Sequence, residues 1–205
     1  MIKILIVEDQ VMTRDSLVHL INGQEDMQIV GEIGNAAEAL SLCEKLAPDL
    51  VLMDVCTDDN ESGIDAAERI RSHYPEIRII IMTGMPEITY MESAKKIGAD
   101  SFLYKNVRGA TLLATIRSTM DGYGTFPRED PSSRLPGNLR FTDTEIAILR
   151  LVCEAKSRKE IAKELAMSEG SLKAIITDIL NKTGYNSIMK FAVFAVAKGY
   201  INPGI

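Results

Sequence analysis

The feature that most constrains this chain is a recurrence. Over residues 1–122, five short apolar runs (Ile4–Val7, Ile29–Gly31, Leu50–Met53, Ile79–Met82 and Ser101–Tyr104) alternate with stretches whose apolar residues fall at helical spacing. Leu17, Leu20 and Ile21 form one such stripe and Ala36, Ala39, Leu40 and Cys43 another. Ile64, Ala67 and Ile70 repeat the pattern, as do Leu112, Leu113, Ile116 and Met120. Regular strand–helix alternation means βαβ units and a parallel sheet. Ile79-Ile80-Ile81-Met82 has no polar alternation, so it needs apolar cover on both faces and belongs inside the sheet. The expected fold of this half is α/β: a doubly wound, parallel, five-stranded sheet of flavodoxin-like form.

The pattern breaks after Asp121-Gly122-Tyr123-Gly124. Pro127, Pro131, Ser132, Ser133, Pro136 and Gly137 follow, a mixture that neither helix nor strand tolerates well. Residues 123–137 therefore read as a linker between a domain at 1–122 and a second at 138–205. The second is purely helical in pattern. Thr142-Asp143-Thr144-Glu145 and Ser157-Arg158-Lys159-Glu160 are capping boxes, and Ser168 can cap a third helix. A fourth helix is expected from about Ile188 to Lys198, ending at Gly199, which completes an all-α four-helix domain.

Charge divides along the same line. Residues 1–122 hold 11 basic against 20 acidic side chains, a balance of −9, whereas 138–205 hold 10 against 7, a balance of +3. The halves thus suit different partners, with nucleic acid the candidate for the basic one. Cys43, Cys56 and Cys153 are odd in number and lack metal-type spacing, which suits a reducing cytosol. The opening run Met1–Val7 is too brief for a signal peptide, and no apolar run could span a bilayer. A cytoplasmic protein without membrane contact is expected.

In a doubly wound sheet, polar residues just beyond the carboxyl ends of strands converge. Here those residues are Glu8 and Asp9 after the first strand, Asp54 after the third, Thr83 after the fourth and Lys105 after the fifth. An aspartate at a strand end, taken alone, is usually a turn former. Three carboxylates at one edge repel one another unless a hard cation sits among them, and Mg²⁺ fits that need. Asp54 then becomes a phosphoryl acceptor, with the Thr83 hydroxyl and the Lys105 ammonium around the equatorial oxygens. An aspartyl-nucleophile phosphatase generally needs a second carboxylate two residues on, where this chain has Cys56, so no enzyme is expected.

Ile4-Leu5-Ile6-Val7-Glu8-Asp9, Leu52-Met53-Asp54, Met82-Thr83-Gly84 and Gly98-Ala99-Asp100-Ser101-Phe102-Leu103-Tyr104-Lys105 together resemble the receiver domain of two-component response regulators. The resemblance implies that Asp54 accepts phosphate from a sensor histidine kinase. It also implies that Glu8, Asp9 and Asp54 hold Mg²⁺ with the backbone carbonyl of Cys56. Thr83 and Phe102 stand in the positions of the switch residues, where the aromatic turns inward behind the threonine. One segment departs from the family. Val55-Cys56-Thr57-Asp58-Asp59-Asn60-Glu61-Ser62-Gly63 lacks the usual proline, is one residue longer and carries extra acids. That departure keeps open a phosphorylation-independent regulator with a degenerate receiver.

Further on, Ser157–Leu165, Ala166-Met167 and Ser168–Lys182 read as helix, tight turn and helix. A trihelical packing module would share the apolar positions but would not need the lysines. If the second helix enters a major groove, Lys173, Ala174 and Thr177 face base edges, and Ser171, Arg158, Lys159 and Lys182 lie near phosphates. Phe141-Thr142-Asp143-Thr144-Glu145, Ser157–Ala162, Ser168–Lys173 and Ile179–Gly184 resemble the LuxR-type domain, and the pairing of domains is similar to NarL/FixJ-type response regulators. The resemblance implies double-stranded DNA as partner and a homodimer when phosphorylated. Ile175 replaces the usual His, Ser171-Leu172 replace Thr-Val and Ile188 replaces an Arg, while Asp178 adds an outward acid. Phe191, Val193, Phe194 and Val196 suit either a dimer surface or the domain core.

Overall fold

The computed structural model describes residues 1–84, 88–127, 141–197 and 200–201. The chain divides into two compact units, one built on a sheet and one helical.

In the first unit, strands β1 (Ile2–Val7), β2 (Met27–Ile33), β3 (Leu50–Asp54), β4 (Arg78–Thr83) and β5 (Ser101–Tyr104) pair in the order β2-β1-β3-β4-β5. Every pairing is parallel. Helices α1 (Val11–Asn22), α2 (Ala39–Leu46), α3 (Gly63–His73), α4 (Ile88–Lys96) and α5 (Gly109–Met120) make the crossovers. Alternate residues of each strand enter opposite layers, as the pleat requires. Leu5, Val7, Val51, Met53, Ile79, Ile81 and Phe102 pack with α2, α3 and α4 residues such as Ala39, Ala67, Ile70 and Ala94. Ile4, Ile6, Leu50, Leu52, Ile80, Met82 and Leu103 pack with Leu17 and Ile21 of α1 and Leu112 and Ile116 of α5. The doubly wound sheet expected from the apolar runs is therefore present, with β4 inside it.

The start of the expected linker has a role in this unit. Thr125 O accepts from Phe102 N at 2.8 Å, and Thr125 N donates to Ser101 Oγ at 2.9 Å. Phe126 packs on the core with the Lys95 ammonium over its ring. Residues 123–127 so cover the edge of β5, which would otherwise present unpaired backbone groups. The remaining residues assigned to the linker lie outside the described residues.

The second unit holds α6 (Asp143–Cys153), α7 (Arg158–Glu164), α8 (Glu169–Thr183) and α9 (Ile188–Ala197), the four helices expected. Both capping boxes are formed, with Thr142 and Ser157 as caps, and Ser168 caps α8. The expected end of α9 at Lys198 and Gly199 lies outside the described residues. Its inner face carries Phe191, Ala192 and Ala195, while Met189 and Val193 face solvent. Among the described helix ends of this unit, two turn on a left-handed residue other than glycine. Ala155 (φ 58°) and Ala166 (φ 51°) are left-handed, each heading a pair of hydrogen bonds that closes the preceding helix. An L-residue with a Cβ is disfavoured there by about 1–2 kcal/mol, part of which glycine gives back in chain entropy. Ala155→Gly and Ala166→Gly are each expected to raise stability by about 0.5–1 kcal/mol in urea unfolding; a loss would mean that the methyl groups pack usefully.

Candidate functional site

Each carboxylate of the sheet edge is placed by the strand that precedes it. β1 ends at Val7, so Glu8 and Asp9 emerge at its carboxyl end. β3 ends on Asp54 itself, whose residue pairs with Met82 of the neighbouring strand. Ligand oxygens of Glu8, Asp9 and Asp54 all lie within 4.8 Å of one another. Glu8 and Asp54 are buried, at 2 % and 4 % exposure.

Among the described residues, the Lys105 ammonium answers two of these carboxylates directly. Lys105 Nζ lies 2.7 Å from Asp54 Oδ2 and 2.7 Å from Glu8 Oε2. Its backbone is fixed at the end of β5, where its N–H donates to Thr83 O at 2.8 Å. Thr83 closes β4 and is fully buried. Arg14 of α1 adds a contact that the sequence did not suggest, donating from Nη1 to Glu8 O at 2.7 Å. Among the described residues, three carboxylates against one ammonium and one guanidinium leave the pocket net negative. Asp9 Oδ1 is buried with no hydrogen-bond partner among the described residues. A buried anionic oxygen without a partner is costly, and a hard cation with oxygen ligands removes that cost. The residues therefore fit a divalent metal.

Phe102 lies one strand position from Leu103 on β5, fully buried and edge-on to Tyr104. In this structure the aromatic is already inside, so any motion of it is a repacking within the core.

In the helical unit, α7 and α8 are joined by Leu165–Ser168, closed by Met167 N donating to Ala162 O at 2.9 Å. Leu172, Ile176 and Ile179 of α8 are buried against Ile148, Leu149 and Ile161. That packing turns Ser171, Lys173, Ala174, Thr177 and Asp178 outward, all exposed. Arg158 and Lys159 at the start of α7 are exposed too. Three of the expected contact groups are also engaged within the unit, the first being Ser171, whose Oγ lies 2.8 Å from Ser168 Oγ. Thr177 Oγ1 donates to Lys173 O at 2.9 Å, and Lys182 Nζ donates to Glu145 Oε1 at 2.6 Å. Glu145 is buried; although burial works against its charge, Lys182 and Thr142 hold its carboxyl below the usual range.

Residues 4–117 match the response regulator receiver domain model, and residues 139–195 match that of bacterial regulatory proteins of the luxR family. The transcriptional regulatory protein YvfU of Bacillus subtilis is 32 % identical over 201 residues, covering 98 % of this chain and 100 % of YvfU. The chain is a two-component response regulator. More finely, it is a LuxR/NarL-type transcription factor that binds DNA, a non-enzymatic family. Among solved structures, the crystal structure of a LuxR-family DNA-binding response regulator from Staphylococcus aureus is 28 % identical. That match has a TM-score of 0.56 and covers 58 % of this response regulator and 99 % of that chain. RcsB of Salmonella typhimurium shares the fold at 19 % identity, with a TM-score of 0.60 over 94 % of this chain and 98 % of its own. A structure of two RcsB dimers bound to two parallel DNAs gives 0.65 at 19 % identity over the same shares.

The electrostatics of the response regulator's pocket follow from its geometry. Burial pushes the Asp54 carboxyl up to about 6; Lys105 works against the rise, and Glu8 and Asp9 add to it. Burial works against the Lys105 ammonium, but Asp54 and Glu8 outweigh it and raise its pKa. The sequence placed Glu8, Asp9, Asp54, Thr83 and Lys105 at strand ends and the structure brings them to one edge. Among the described residues no helix is long and apolar enough to cross a membrane.

Proposed function

We propose that this response regulator is switched by phosphorylation of Asp54. A sensor histidine kinase is the physiological donor: a carboxylate oxygen of Asp54 bonds to phosphorus as the bond from phosphorus to the donor imidazole nitrogen breaks. Glu8, Asp9 and Asp54, with the Cys56 carbonyl, would hold Mg²⁺, which supplies charge neutralisation to the incoming phosphoryl group. Lys105 changes partners, its ammonium moving from carboxylate pairing to a phosphoryl oxygen, and the Thr83 hydroxyl donates to another. Phe102 repacks behind Thr83. The observation that carries this reading is the set of three buried-edge carboxylates with one shared lysine and one orphaned Asp9 oxygen. Incubation of the full chain with acetyl phosphate and Mg²⁺ is expected to add one phosphoryl mass, and none in Asp54→Asn. An unmodified wild-type mass leaves the phosphorylation-independent reading in its place.

The output is DNA occupancy in the cytoplasm. Lys173, Ala174 and Thr177 face base edges, and Ser171, Arg158, Lys159 and Lys182 approach phosphates, Lys182 exchanging its Glu145 partner. The dimeric state of RcsB on DNA and the outward Met189 and Val193 of α9 support a homodimer when phosphorylated. Two weak contacts joined in one dimer gain by effective concentration, so a modest change in pairing alters occupancy. Operator affinity is expected to rise with phosphorylated protein; equal affinities remove the switching step. Lys173→Ala is expected to weaken specific binding by about 1–3 kcal/mol. An equal loss on every DNA sequence would assign Lys173 to a phosphate instead.

A further inference from the structure

The segment between Asp54 and α3 is longer than the family pattern and lacks its proline, yet it is tied down on three sides. Cys56 and Ser62 form an isolated antiparallel bridge. Its two hydrogen bonds run from Gly63 N to Val55 O at 2.9 Å and from Thr57 N to Glu61 O at 3.3 Å. The bridge therefore uses neither backbone group of Cys56. Thr57 is 6 % exposed, and its hydroxyl bonds in both directions. It donates to Glu61 O at 2.8 Å and accepts from Ala36 N at 3.0 Å. The same loop meets the β2–α2 connection twice more, through Asp58 N to Gly34 O at 3.1 Å and Asn35 Nδ2 to Asp59 Oδ2 at 3.0 Å.

We propose that Thr57 is the positioning residue of the metal site: it orients the Cys56 carbonyl by clamping its peptide plane to the β2–α2 connection. This rests on the reading of Glu8, Asp9, Asp54 and the Cys56 carbonyl as Mg²⁺ ligands. The reason is covalent. The Cys56 carbonyl and the Thr57 N–H share one planar peptide, so a donor held on Glu61 fixes the direction of the carbonyl. The hydroxyl then locks that strand of the loop to Ala36, whose N–H is buried and needs the partner. Groups that orient a metal ligand from behind affect affinity about 10–100-fold when removed.

The test is Mg²⁺ titration of the full chain by calorimetry, with ¹H–¹⁵N spectra recorded in parallel. Wild type is expected to bind Mg²⁺ and to shift the Thr57 amide, which shares the ligating peptide. Thr57→Val keeps the shape and loses the hydroxyl; its Kd is expected to rise about tenfold. Thr57→Ser restores the oxygen and is expected to bind within about twofold of wild type. An unchanged Kd in a folded Thr57→Val overturns the proposal. Should that variant fail to fold, Asn35→Ala loosens the same connection from its exposed side. Its Kd is expected to rise about threefold, and an unchanged value overturns the proposal equally. Asp9→Asn separates the two levels of inference. If wild type binds Mg²⁺ and Asp9→Asn does not, the metal reading stands whatever Thr57 does. If wild type binds none, both fall.

Discussion

Gly63→Ala is expected to destabilise the receiver unit by about 4 kcal/mol or more. A Cβ built on Gly63 would lie 1.7 Å from Asp54 O and 2.9 Å from Asp54 C, whereas Cβ atoms need roughly 3.0 Å. The obstacle is backbone, so no side chain can swing away. Nor can the glycine retreat easily. Its own N–H is bonded to Val55 O, Ser62 caps the helix that Gly63 begins, and the loop behind it is clamped to Ala36 by Thr57. The strand end that carries Asp54 must therefore move, or α3 must pull off the sheet. Urea unfolding followed at receiver amide resonances of the full chain would report it, since two units need not melt together. A loss under 1 kcal/mol would mean that the loop after Asp54 yields far more readily than its hydrogen bonds indicate.

Gly63 also marks where sequence reasoning stops. A glycine at the end of the loop after Asp54 is legible as part of a family pattern, but the cause is an approach across nine positions that only the folded loop creates. The strands were legible because each apolar run is short and ends on a polar residue, and a strand's carboxyl end is where such a residue gathers with its counterparts. Glu8, Asp54 and Lys105 meet for that reason. Edges were harder. β2 extends over Met27–Ile33, beyond the expected Ile29–Gly31, because an outer strand is half exposed and Gln28 and Glu32 can face solvent. The turn-rich residues after Gly122 suggested only a linker, although β5 as an edge strand called for cover and Thr125 and Phe126 supply it. Lys182 reads from the sequence as a phosphate contact of the recognition helix. Its partner Glu145 is 37 positions away, and the pairing depends on how α6 and α8 pack, which no local pattern encodes.

Asp54→Asn is expected to make the metal-free protein more stable at pH 8, by about 2–3 kcal/mol, although it removes the proposed phosphoacceptor. The Asp54 carboxyl is raised from 3.8 to about 6, first by burial and then by the nearby Glu8 and Asp9, with Lys105 offsetting only part of this. The folded protein therefore holds the Asp54 proton more tightly than the unfolded chain does. Below pH 3.8 both states are protonated and the residue contributes no difference. Between 3.8 and about 6 the unfolded chain ionises first, so stability falls as pH rises. Above about 6 the full loss is present, about 3 kcal/mol at 1.36 kcal/mol per pH unit. The neutral amide escapes that loss and still offers Lys105 an acceptor. The advantage of Asp54→Asn over wild type should thus appear across pH 4–6, stay flat above it and shrink when Mg²⁺ is added to both. Receiver unfolding in EDTA at pH 4, 6 and 8 measures it. An Asp54→Asn variant less stable than wild type at pH 8 would mean that the Lys105 ion pair, not desolvation, governs the pocket. In that case the ionised aspartate would be a stabilising element. On the geometry here the ionised Asp54 instead costs the metal-free fold stability, a cost that a cation among Glu8, Asp9 and Asp54 would remove.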